Sequence, residues 1–518
     1  MKWLRNATVN RTSLILVAMV LQIIFLVLVL KIFVESFYLM YTLSLLVSAA
    51  VVLWILSDSS KAAYKLAWII PIMLSPVFGG FFYLFFGRVR LRQGFRAKMM
   101  ENSSIGTHGE RVRTSVDAML EELSPLASRQ SVYLSSFVGN PLYTDTKASY
   151  FPTGESVFEQ ILVELEKAER FIYIEFFIIA EGLMWGKILE ILVHKAKLGV
   201  DVRVMYDDFG CMTRLPRGYE RHLESLGIRC TVFNPIRPIL SLDINHRDHR
   251  KLLIIDGKVG FTGGINLADE YINVKKRFGY WKDNALMIEG QAVDSMTTIF
   301  LRLWNNSAKG APEERIQISY EMDRIEGGTP SKTKRGMGFV QPFEDSPVDD
   351  EPVGENVYLN LIGAACRYLY ITTPYLILDS EMATALTLAA KGGVDVRIIT
   401  PHIPDKWFVH NVTRSNYRAL LKAGARIFEY SPGFIHSKTF VADDLYGVLG
   451  TINLDFRSLY LHFECGIWLY DCAAIQAMKK DILETQEVCV EITARQLDDE
   501  PFLRKATTGF LRLFAPLM

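Results

Sequence analysis

Two short stretches of this chain carry side chains suited to work on a phosphate. The first is His249-Arg-Lys251-Leu-Leu-Ile-Ile-Asp256, followed by Gly263-Gly264-Ile-Asn266. The second is His436-Ser-Lys438-Thr-Phe-Val-Ala-Asp443, followed by Gly450-Thr451-Ile-Asn453. The spacing is the same in both: His-x-Lys, four residues to Asp, six more to Gly, and Asn three beyond. An ammonium group neutralises non-bridging phosphate oxygens, while an imidazole attacks phosphorus or carries protons. Side chains alternate along a strand, so His249 and Lys251 share a face, as do His436 and Lys438. Asp256 and Asp443 stand at an odd offset from the lysines, which predicts the other face and a supporting role within the motif. The glycines allow a turn that returns the Asn amide toward the same place. One His-x-Lys is a weak signal; two copies with matched downstream spacing are a strong one.

The elements that position these motifs are duplicated too. Gly154-Glu-Ser-Val157 and Gly354-Glu-Asn-Val357 each open a helical pattern, followed by strand-like Phe171–Ile178 and Tyr368–Thr373. Gly199-Val-Asp-Val-Arg-Val-Met-Tyr206 matches Gly393-Val-Asp-Val-Arg-Ile-Ile-Thr400, and Leu226-Gly-Ile-Arg229 matches Ala423-Gly-Ala-Arg426. Strands alternating with helices predict an α/β fold with parallel βαβ units, and repetition predicts two similar domains. The expected domains are residues 131–315 and 339–518. A linker at 316–338, rich in Gly, Ser, Thr and Lys from Gly327 to Gly338, separates them, and a polar helical connector at 101–130 precedes them.

The first hundred residues read as a membrane anchor. Apolar runs at about 13–34 and 37–57 are each near the length that spans a bilayer. No small-residue cleavage site follows the first, which argues against a signal peptide. A third run, Leu66–Phe86, carries Pro71, Pro76, Gly79 and Gly80 and has basic residues on both flanks. Those flanks predict an interfacial or re-entrant segment and place the following domains in the cytoplasm. The tail from Phe502 to Met518 mixes Leu and Phe with Arg504, Lys505 and Arg512, which suits an interfacial amphipathic helix or a docked terminal one.

Composition narrows the function. Lys+Arg and Asp+Glu balance at 57 each, so no broad basic footprint for nucleic acid is expected. The six cysteines form no CxxC pair or zinc-like cluster, so no metal site or disulfide framework is expected. Apolar stretches near the motifs, Val232–Ile236 with Ile239-Leu240 and Trp407–Val409, are candidates to face acyl chains or to pack in the core.

Both motifs resemble the HxKxxxxD signature of the phospholipase D superfamily. The wider context is similar to bacterial cardiolipin synthases: Tyr83–Arg88, Tyr173–Phe177, Asn266–Tyr271, Tyr280–Asp283, Ile371–Leu376, Pro432–Lys438 and Asn453–Ser458. The likeness runs from about residue 13 to the C-terminus, and its departures are mild. Thr451 stands where serine is commoner, and Gly264 holds the matching place in the first half.

The resemblance implies two tandem domains of mixed sheet flanked by helices, sharing one active site. It implies a ping-pong mechanism without metal or cofactor. His249 would be the nucleophile and His436 the acid and base. Lys251, Lys438, Asn266 and Asn453 would hold the phosphate oxygens, and Asp283 and Glu464 would orient the histidines. The expected reaction joins two phosphatidylglycerols into cardiolipin and glycerol, at a multi-pass cell-membrane protein. A lipid hydrolase or headgroup-exchange enzyme of the same superfamily is the alternative, and a membrane-tethered binding protein a third. Acceptor choice and a homo-oligomeric state are left open.

Overall fold

The computed structural model describes residues 11–35, 37–58, 61–87, 99, 114–236, 245–307, 338–349, 351–499 and 501–517. The expected linker, apart from its last residue, the start of the connector, Ile239-Leu240 and the basic run from Arg88 to Lys98 lie outside them. The chain divides into two compact units. One comprises residues 1–92 with 234–245 and 517, and the other holds the rest.

The first unit is helical: α1 (Arg11–Glu35), α2 (Phe37–Ser57), α3 (Ala62–Leu74) and α4 (Pro76–Phe86). Among the described residues one helix, Tyr38–Ser57, is long and apolar enough to cross a membrane. It bares Leu39, Leu46 and Leu53 on its outside, a surface that water penalises. The run at Leu66–Phe86 falls in two helices, α3 and α4, parted at Ser75. Proline disfavours the helical conformation in the residue before it. Ser75, ahead of Pro76, accordingly leaves the helix at φ −139°, ψ 71°.

The chain then folds back. Tyr64 donates to the Gly87 carbonyl at 2.7 Å, Trp68 packs edge-on against Tyr83, and a Cβ on Gly79 would lie 2.5 Å from the Ile72 Cα. These contacts make α3 and α4 an antiparallel hairpin. Gly80 lets it approach α2, where the Ser48 hydroxyl donates to the Pro76 carbonyl.

The second unit contains both repeats. The first sheet uses β1 (Thr146–Phe151), β2 (Phe171–Phe176), β3 (Asp201–Asp207), β4 (Arg229–Phe233), β5 (Lys251–Ile255), β6 (Val259–Gly263) and β8 (Ala285–Gly290). Their order is β1-β8-β6-β5-β2-β3-β4. The second uses β9 (Phe339–Asp345), β10 (Tyr368–Thr372), β11 (Asp395–Pro401), β12 (Arg426–Tyr430), β14 (Thr439–Ala442), β15 (Tyr446–Gly450), β16 (Glu464–Tyr470) and β17 (Cys489–Ile492). Their order is β17-β12-β11-β10-β14-β15-β16-β9, the same path with one strand added. Within these two sheets β2-β3-β4 and β10-β11-β12 run parallel, as the βαβ reading expected, and the other pairings are antiparallel, so each sheet is mixed. The motif strands β5 and β14 lie antiparallel to β2 and β10, and tight turns lead from them into the antiparallel β6 and β15.

Helices Gly154–Glu166 and Val353–Ala364 begin at the matched Gly-Glu sequences. Each repeat has its own apolar core, which includes Ile174, Val204 and Leu253 in the first and Ile371, Ile398 and Phe440 in the second.

Asp256 and Asp443 stand at the end of the motif strand remote from the histidine, with φ of 55° and 56°. Asp256 accepts from the backbone N–H of Glu169, Arg170 and Phe171 at 2.7–2.9 Å. Asp443 does the same for Cys366, Arg367 and Tyr368 at 2.6–2.9 Å. Each carboxylate thereby pins the start of β2 or β10 against the motif strand, the supporting role expected of it. Asp256→Ala orphans three N–H groups, and a fall of about 3 kcal/mol in unfolding free energy is expected. Asp256→Asn keeps an acceptor and tolerates positive φ, so it should fall between the two. Thermal or denaturant unfolding checks the order.

Candidate functional site

The motif histidines are placed by strand-like contacts between the repeats. Residue 283 follows β7 (Tyr280–Lys282), which pairs in parallel with β13 (Gly433–Ile435), the strand leading to His436. The His436 N–H donates to the Lys282 carbonyl at 2.7 Å. The other side is arranged alike. The His249 N–H donates to the Phe463 carbonyl at 2.9 Å, and the Phe463 N–H to the Arg247 carbonyl at 2.8 Å. Each histidine is therefore laced by its backbone to the residue just before the other repeat's acid.

The side chains follow. His249 Nδ1 lies 2.9 and 3.0 Å from the two Glu464 oxygens, and His436 Nδ1 lies 2.7 Å from Asp283 Oδ2. Each acid orients the histidine of the opposite repeat, a crossing that the sequence could not reveal. All four groups are buried. An ionised carboxylate on Nδ1 fixes the proton there and leaves Nε2 with its lone pair.

Burial pulls the His249 imidazole down to about 3, with Lys251 adding to it, against the upward pull of Glu464. His436 falls to about 4, from burial and then Lys438, with Asp283 opposing. Glu464 and Asp283 are held below the ordinary carboxylate range by their histidines, although burial opposes this.

The lysines bend back onto their own motifs. Lys251 Nζ donates to the His249 carbonyl at 2.6 Å, and Lys438 Nζ donates to that of His436. Burial lowers Lys251 to about 8 and Lys438 to about 7, against the pull of Glu464 and Asp283. Lys251 feels both acids and also depresses His436, so the two motifs share one electrostatic field.

The asparagines differ. Asn266 Oδ1 accepts from the Ile178 N–H at 3.0 Å, and its Nδ2 donates to the Tyr271 hydroxyl at 2.7 Å. Asn453 Oδ1 is buried without a partner. Gly264 and Thr451, equivalent by position, explain each other. The Thr451 hydroxyl donates to Glu464 Oε2, whereas a Cβ on Gly264 would lie 2.0 Å from Asp283 Oδ1. Asp283 occupies the space that threonine fills opposite Glu464.

Several residues of the site carried no motif signal. Arg250, inside the first motif, is fully buried; it bonds Glu344 at 2.7 Å and lies 3.7 Å from Glu175. Arg302 reaches the same Glu344 at 2.5 Å. Phe177 packs edge-on to His249, while Tyr271 and Trp281 surround His436. His462 lies two residues before Glu464, and its ring centroid is 5.6 Å from that of His249. Its one available sign was its place two residues before the expected orienting acid, Glu464. Of the acyl-facing candidates, Trp407 is exposed, but Val409 and Phe233 are buried, the latter against Phe463.

Duplicated mixed sheets with two His-x-Lys motifs meeting over crossed acids define a phospholipase D-like phosphoryl-transfer site. The family model described as cardiolipin synthase, PLD-like domain, matches residues 161–304 and 358–485, and one described as phospholipase D-nuclease N-terminal matches 45–88. The chain belongs to the cardiolipin synthase, PLD-like family. A cardiolipin synthase of Geobacillus sp. (strain WCH70) is 34% identical over 486 residues, covering 92% of this chain and 94% of that one. An uncharacterized protein of Streptococcus mutans is 42% identical, covering 90% and 99%. The phosphatidylserine synthase structure from Haemophilus influenzae shares the fold, with TM-score 0.55 at 16% identity over 72% of this chain and 93% of that one.

Two predictions follow from the geometry. Gly264→Ala should push Asp283 off His436 and cut turnover by about 10² or more, while Thr451→Ser, which keeps the hydroxyl, should cost under about tenfold. Lys438 and Lys251 are cations below about 7 and 8 and lose that charge as pH rises. The kcat/KM for an anionic phosphodiester should therefore fall more steeply from about pH 7, beyond the limb set at lower pH by the depressed His436. The limb in kcat should lie higher, because bound phosphate favours the ammonium form. Paired pH profiles measure both.

Proposed function

We propose that this chain is a phosphatidyltransferase that makes cardiolipin from two molecules of phosphatidylglycerol, through a phosphatidyl-histidine. The observation that carries this is the crossed anchoring: both Nδ1 atoms are held by buried acids, so both Nε2 atoms are left to the substrate.

In this reading His249 Nε2 attacks phosphorus and the bond to the headgroup glycerol breaks. His436 donates its proton to the departing oxygen and glycerol leaves. The hydroxyl of a second phosphatidylglycerol then gives its proton to His436 and attacks phosphorus. The bond to His249 breaks, and cardiolipin leaves. His436 must be protonated for the first step. The incoming phosphodiester anion supplies that bias by raising its pKa from the depressed resting value. Lys251 and Lys438 stabilise charge on the phosphoryl oxygens. Only the Nδ2 donor of each asparagine could bind a phosphoryl oxygen, and in Asn266 that donor already serves the Tyr271 hydroxyl.

Membrane association belongs to the family. We read α1 and α2 as two spans and the α3–α4 hairpin as re-entrant, with the catalytic unit in the cytoplasm. The physical support is length. At about 1.5 Å per residue α2 reaches about 30 Å, the thickness of the hydrocarbon core, whereas α3 and α4 reach only about 20 and 17 Å. Their antiparallel packing brings the chain back to the side it entered. On the catalytic unit, exposed Trp407 and Phe209 offer apolar contacts that suit acyl chains.

The test is product analysis on full-length protein in vesicles of labelled phosphatidylglycerol, with EDTA present. Cardiolipin and free glycerol are expected, and His249→Ala and His436→Ala should each lose about 10³-fold or more. Phosphatidic acid without cardiolipin would make the protein a hydrolase of the same superfamily. Full activity in His249→Ala would overturn the mechanism.

A further inference from the structure

His249, His462 and Glu464 place three potential ligand atoms within 4.8 Å of one another. We propose that this trio is an inhibitory site for a borderline divalent transition metal such as Zn2+, which would switch off the first histidine by capturing its Nδ1.

The geometry is close to what such an ion needs. Glu464 Oε1 is the shared vertex, 2.9 Å from His249 Nδ1 and 3.8 Å from His462 Nδ1. Tetrahedral zinc with bonds of about 2.0–2.1 Å sets its ligand atoms about 3.3 Å apart, so one separation opens and the other closes by about half an ångström. His462 Nδ1 is buried and has no closer polar contact than Glu464 Oε1 at 3.8 Å, too long for a full hydrogen bond, which leaves it available to a ligand. Thr451 donates to Glu464 Oε2, which leaves Oε1 as the ligand. Two imidazoles and one carboxylate form a set that suits zinc and its neighbours and suits Mg2+ or Ca2+, which prefer oxygen, poorly. The fourth position would go to water.

The chemical consequence rests on the reading that His249 is the nucleophile. A neutral imidazole carries one N–H. When the metal takes Nδ1, that proton moves to Nε2, and the lone pair that would attack phosphorus is gone. The ion also displaces the His249–Glu464 hydrogen bond. The opposite half-site lacks the means: His436 is ringed by Tyr271, Trp281 and Phe434, and no metal-sized cluster forms there among the described residues.

The experiment uses EDTA-stripped full-length protein in detergent, alone and as His462→Asn and His462→Gln, with thermal unfolding to confirm that each is folded. Micromolar Zn2+ should abolish transfer reversibly, and millimolar Mg2+ should not. Co2+ should give the intense visible bands of a tetrahedral site at one equivalent. Both His462 variants should lose those bands and need at least about tenfold more Zn2+ for inhibition. The Co2+ spectrum reads the site even if His249 is not the nucleophile. Absence of tetrahedral bands in the unsubstituted protein, bands with undiminished transfer, or equal Zn2+ sensitivity in the His462 variants would each overturn the proposal.

Discussion

The crossed pairing of each motif histidine with an acid of the other repeat is the constraint on which the second unit depends. A buried histidine with a mobile ring would be neither a directed nucleophile nor a reliable acid. The carboxylate on Nδ1 removes that freedom, and the backbone bond beside it sets the distance. Neither repeat can complete its own site, since each lends its acid away. Duplication is therefore a requirement of the chemistry here and not only a record of how the chain arose.

That constraint makes burial necessary and costly. The two dyads, two lysines and the Arg250–Glu344–Arg302 group are all buried. Charge taken out of water must be paired or it neutralises itself. The protein uses both outcomes. Arg250 and Arg302 satisfy Glu344, while burial with Asp248 alongside pushes Glu175 well above the usual carboxylate range. The same desolvation lowers the lysines toward neutrality, so the site holds its cations weakly until an anion arrives. In the proposed mechanism a phosphodiester would supply that counter-charge.

The helical unit follows different rules. Its apolar residues face outward as well as inward, and beside a core of Val51, Ile55, Trp68, Ile72 and Tyr83 its closest backbone approaches fall at Gly79, Gly80 and Ser48. Close approach of backbones through small residues is the packing mode available where lipid leaves no hydrophobic driving force between helices.

Read without coordinates, the sequence determined a great deal. Two motifs of matched spacing, flanking repeats and an apolar N-terminus defined the family, the duplicated α/β design and the residues worth naming, because chemistry demands particular side chains at particular offsets. It could not determine partnership. Which acid serves which histidine, why glycine stands opposite threonine, and why His462 matters are contacts between residues as many as 215 positions apart. The direction of the motif strands, antiparallel to β2 and β10, was not legible for a related reason. Local alternation reports that a strand exists, but its direction is set by the connection that delivers it and the neighbour it meets. Only the folded chain brings those together.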